Sequence, residues 1–158
     1  MIRRVPVLIT AALVSVAAAG VTSASAGSAT ASATVLIRHQ VQHCHAWSVN
    51  AGPFKAAQAL TLQRGGTITF TNNDVMPHRL VELAGPRVAM HNGNSMPMGA
   101  GMHGAAAPGL MNRMGATTKI TLTKSGVYRF RTHPGEDYMA GFKTTGEDNV
   151  LTLTVSVR

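Results

Sequence analysis

The chain has 158 residues, with 14 Lys and Arg against 6 Asp and Glu, nine Met, seven His and one Cys. One Cys excludes a disulfide framework within the chain. Singly scattered basic residues and an aromatic content of 4% exclude a basic, base-stacking nucleic-acid surface. There is no phosphate loop with its Lys, no nucleophile elbow, no Cys-x-x-Cys and no haem-attachment motif.

The N-terminus reads as an export signal. Arg3 and Arg4 precede the apolar run from Val5 to Gly20, and Ala24-Ser25-Ala26 offers small residues to a signal peptidase. The run is shorter than the roughly 20 residues of a membrane span. We therefore expect a signal peptide over 1–26, no stable membrane span after processing, and a periplasmic, cell-envelope or extracellular location. Residues 27–33 are all Gly, Ala, Ser and Thr and read as a flexible leader. The remaining 34–158 suits one domain. Without the two signal arginines, 12 basic residues face 6 acidic ones, an excess that serves solubility.

Period-two alternation with β-branched residues predicts strands in chain order. They are Val35 to Arg38, Val41 to Val49, Ala59 to Gln63, Thr67 to Thr71, Arg79 to Leu83, Lys119 to Thr123, Val127 to Arg131 and Val150 to Val157. This implies an all-β antiparallel sandwich or barrel. Residues 87–115 are rich in Gly, Ala, Met, Pro and Asn and read as one long loop.

Three clusters carry chemistry. The first is His39, His43, Cys44 and His45. In a strand, His43 and His45 share the phase of Trp47, so theirs is the inward face and Cys44 points away. Two inward imidazoles need hydrogen-bond partners or a metal. Cys44 has three readings: a buried thiol, a link between chains, or a metal ligand.

The second cluster begins at Asn72-Asn73-Asp74-Val75-Met76-Pro77-His78. It is followed later by Gly126-Val127-Tyr128-Arg129-Phe130 and by Met139-Ala140-Gly141. In this order the segments resemble the cupredoxin family. The resemblance implies an all-β, cupredoxin-like antiparallel Greek-key sandwich that binds copper. His78 matches the family's first histidine ligand and Met139 its axial ligand. Thr132 stands where blue-copper members carry a Cys, and His133 follows at a spacing the family does not use. A blue site is a His₂Cys arrangement with a weak axial Met. Either that site is lost here, or Cys44 supplies the thiolate from another strand.

The third cluster is Met90-His91, Met96, Met98, Met102-His103, Met111 and Met114. Thioethers are soft donors for Cu(I), and imidazole takes both copper oxidation states. The cluster reads as weak, exchangeable copper ligation. Glu136, Asp137, Glu147 and Asp148 read as a solvated acidic loop.

The expected metal ligands are Cys44, His45, His78 and Met139, with His43, His133 and Met76 as further candidates. The expected metal is copper, as Cu(I) or Cu(II), with zinc second because it accepts a similar Cys/His set. The expected function is copper capture, delivery or tolerance, with another copper-handling or redox protein as partner. The rivals are an electron-transfer copper protein, a metal-free binding module on the same scaffold, and, third, a small copper-dependent oxidoreductase.

Overall fold

A computed structural model describes residues 29–39, 45–94, 107–132 and 150–158. The expected signal peptide lies outside them. The described strands are β1 (Thr30–His39), β2 (His45–Val49), β3 (Ala57–Asn73), β4 (His78–Arg79), β5 (Val81–Ala84), β6 (Met90–Gly93), β7 (Leu110–Met111), β8 (Thr117–Leu122), β9 (Gly126–Thr132) and β10 (Leu151–Val157). No described helix is long and apolar enough to cross a membrane.

The two alternating runs expected at 59–63 and 67–71 are one strand, β3. Gly65 and Gly66 let it continue through a bend. Gly65 has φ of 82°, and a Cβ on Gly66 would lie 2.8 Å from the Gln63 carbonyl oxygen. Before the bend, β3 pairs with β10, from Ala57 opposite Thr152 to Leu62 opposite Val157. Beyond it, β3 lies between β1 and β8. One strand thus belongs to both layers of the sandwich. β10, β9 and β5 extend one layer, while β2 and β6 are added outside β1 and β8 in the other.

Most pairings are antiparallel, as expected, but β3 takes two parallel partners, β1 and β10. The leader expectation is corrected over Thr30 to Ala33. These residues open β1, where Ser32 and Ala33 pair with Thr67 and Ile68, and Ala33 is buried. The segment expected to be one long loop contains β6 and β7. β6 pairs with β8 from Met90 opposite Ile120 to Gly93 opposite Thr117.

Alternating positions fill the core: Val35 and Ile37, Ile68 and Phe70, Ile120 and Leu122, Tyr128 and Phe130, Leu153 and Val155. Phe70 sits between Trp47 and Phe130, with ring centroids 6.2 Å away in each case. At one end of the sandwich these rows change chemistry. Two residues beyond Ile37, Phe70 and Phe130 come His39, Asn72 and Thr132, and His45 lies two before Trp47. His45, Asn72 and Thr132 are buried there.

Phe70→Ala is expected to cost about 3–5 kcal/mol, the range for an aromatic deletion in a packed core. Urea denaturation checks this as a lower midpoint with an unchanged slope.

Candidate metal centre

The polar end of the sandwich is built around the turn that follows β3. Asn72 holds this turn from below. Its Nδ2 donates to the carbonyls of Met76 (2.8 Å) and Met111 (3.0 Å), and its Oδ1 accepts from the Asp74 N–H at 2.9 Å. Asp74 Oδ1 accepts from the Met76 N–H at 3.0 Å. An Asn and an Asp that bond backbone two residues on are the usual makers of such turns. Here they aim the second carboxylate oxygen inward.

That oxygen, Asp74 Oδ2, lies 3.0 Å from His45 Nε2 and 3.4 Å from His78 Nε2. The two imidazole rings meet edge to face with centroids 5.1 Å apart. His45, Asp74 and His78 are 3%, 1% and 0% exposed, so the group is buried. His39, exposed at the rim, stands 5.5 Å from the His45 ring.

Burial alone would raise the Asp74 pKa. The imidazoles of His45 and His78 beside it and the hydrogen bond from the Met76 N–H outweigh that, and the carboxyl stays ionised far below the ordinary carboxylate range. An ionised carboxylate only accepts, so the His78 nitrogen that faces it carries the proton. His78 Nδ1 is then the ring nitrogen with a lone pair. It lies 3.5 Å from Thr132 Oγ1, at the end of β9. A carboxylate that fixes a histidine tautomer in this way is a common support for a metal-binding imidazole.

Of the expected ligands, His45 and His78 come together here. Cys44, His43, His133 and Met139 lie outside the described residues, as do Met96, Met98, Met102 and His103. Met76 serves the turn through its backbone. Met90 packs against the core, Met111 belongs to it, and His91 is exposed on β6. The spacing pattern gives no sign of Asp74. Only its position four before His78, within an Asn-rich turn, hints that it faces that ring.

Imidazole nitrogen and carboxylate oxygen are donor types that suit Cu(II) and also Zn(II), and the lone pair His78 offers is at Nδ1, on the side away from Asp74. A thiolate is absent at Thr132. β9 therefore contributes no sulfur to a blue arrangement at His78.

A family profile described as copper binding proteins, plastocyanin/azurin family, matches residues 31–145. Plastocyanin A/B of Petroselinum crispum is 29% identical over 87 residues, covering 55% of this chain and 80% of that protein. Among solved structures, the inclusion body protein PixA from Burkholderia cenocepacia overlaps with a TM-score of 0.41 at 7% identity, covering 84% of this chain and 99% of the other. A reduced Cu(I) form of an amicyanin variant overlaps with a TM-score of 0.35 at 18% identity, covering 79% and 82%. Overlaps this loose carry no argument about function.

The depressed Asp74 pKa has a definite sign in stability. In the window between its folded and unfolded pKa values the unfolded chain binds the extra proton. The contribution is full above the unfolded value of about 3.8 and is lost as pH falls below it. In chelator-treated protein, Asp74→Asn should be about 1–3 kcal/mol less stable than wild type at neutral pH. That gap should narrow as pH drops from 5 towards 2, as read by denaturant midpoints across the range.

Proposed function

The chain belongs to the plastocyanin/azurin family of copper-binding proteins, and we propose that its task is to capture copper outside the cytoplasm and pass it on. The observation that carries this reading is the Thr132 hydroxyl 3.5 Å from His78 Nδ1. The residue beside the first histidine ligand is an alcohol, which does not replace a thiolate as a soft, tightly held donor.

Copper, when bound, supplies a Lewis-acidic centre that can also accept one electron. The protein's part is to hold it reversibly. His78 offers Nδ1, and Asp74 holds that ring in the correct tautomer from behind. His133 and Met139, which follow Thr132 in the sequence, are the proposed imidazole and thioether partners. Asn72 and the Thr132 end of β9 keep the pocket shaped. The Met/His segment through Met96, Met98, Met102 and His103 would offer soft, exchangeable donors for Cu(I) on its way in or out. The expected export signal agrees with work in the periplasm, cell envelope or extracellular space. The natural recipient is another copper-handling protein.

Electron transfer is the second reading, and two observations favour it. The family match is to plastocyanin and azurin. Cys44 directly precedes His45, whose ring lies beside that of His78. In this reading Cys44 restores the thiolate.

Copper competition against a chelator tests the proposal. Wild type should retain a tight equivalent, and His78→Ala should weaken it by more than about 100-fold. Asp74→Asn should weaken it by about 10–100-fold, the usual effect of losing a ligand's supporting partner. The copper-loaded protein should lack an intense thiolate-to-copper absorption band. A strong band that disappears in Cys44→Ser would instead establish the electron-transfer reading.

A further inference from the structure

We propose that His39, His45 and Asp74 form a second metal site, taking a divalent ion of borderline softness, Cu(II) or Zn(II), next to the copper site at His78. The sheet brings these residues together by register. His39 and His45 are direct cross-strand partners at the open end of the β1–β2 pair. Their rings meet edge to face at 5.5 Å. Asp74 reaches the same place from the turn after β3, with its Oδ2 3.0 Å from His45 Nε2.

One ligand atom from each of the three lies within 4.8 Å of the others. An ion held at about 2.0–2.2 Å from nitrogen and oxygen donors needs ligand atoms some 3–4 Å apart. The closest pair already has that spacing. His39 is exposed and can turn to close the rest. Its exposure also gives the ion a path to two otherwise buried ligands. Two neutral imidazoles and one carboxylate carry a single negative charge, which offsets half the charge of a bound dication and leaves +1 near the exposed rim. Such a His₂-carboxylate set leaves a coordination position open. Imidazole and carboxylate donors rank Cu(II) ahead of Zn(II).

This site is separate from the one at His78. There the metal-facing nitrogen is Nδ1, on the Thr132 side, whereas Asp74 meets the opposite nitrogen, Nε2. The inference rests on the His78 reading only for the word second.

Zn(II) and Cu(II) alone are the probes, added to the full chain, with bound metal counted after gel filtration. Wild type is expected to hold one zinc more than His39→Ala. His39→Ala should keep its tight copper affinity within about threefold, and His78→Ala should keep the His39-dependent zinc. Because His39 is exposed, the variant should fold with an unchanged denaturation midpoint, and His39→Gln serves as a second test. Equal zinc content in wild type and both His39 variants would overturn the proposal. So would a loss of copper affinity in His39→Ala matching that in His78→Ala, since that describes a single centre. If His78→Ala leaves copper untouched while His39→Ala loses zinc, the His78 reading fails and this site stands.

Discussion

One carboxylate oxygen, Asp74 Oδ2, ties the functional end of this protein together. It lies 3.0 and 3.4 Å from histidines on β2 and β4 while its own residue is locked by Asn72 and the Met76 N–H. A charge inside a sandwich is costly, and it persists only where several donors replace water. Here the donors come from separate strand connections. Satisfying the charge therefore fixes how β2, the turn after β3, and β4 approach one another. An apolar residue at 74 could fill the volume, but it would not dictate which nitrogen of His78 faces Thr132.

The donor types are sorted by position along the chain. The buried end offers imidazole and carboxylate, which suit Cu(II). The Met-rich segment offers thioethers, which suit Cu(I). A protein that meets copper in both oxidation states would gain from this separation. A rapid electron carrier needs one site that serves both states with little rearrangement. Thr132 is where the two designs part, because a thiolate there would have served both states from a single position.

Much of the architecture was legible from alternation. β8, β9 and β10 fall within one or two residues of the runs seen in the sequence, because each exposes one face and buries the other. His78 was legible from its place behind an Asn-rich turn. Three things were not. Thr30 to Ala33 have small side chains and resemble a linker, and only the approach of β3 gives them a partner. β6, Met90 to Gly93, has little intrinsic strand preference and forms because β8 offers it an edge. The third is the grouping of His39 and Asp74 with His45, which depends on strand register and on a turn's inward aim. Neither leaves a period in the sequence. The tail residues of β1 and the first residue of β2 become neighbours only when the pair forms.

The dual membership of β3 also governs how the chain reaches this state. β10 lies between β3 and β9, so the layer stays split down its middle until residues 151–157 have been made and inserted. The parallel β3–β10 register joins segments far apart in sequence, and closing such loops slows folding into the millisecond-to-second range typical of β sandwiches. The earlier strands cannot complete that layer before β10 is in place. That layer therefore stays open until β10 closes the sheet.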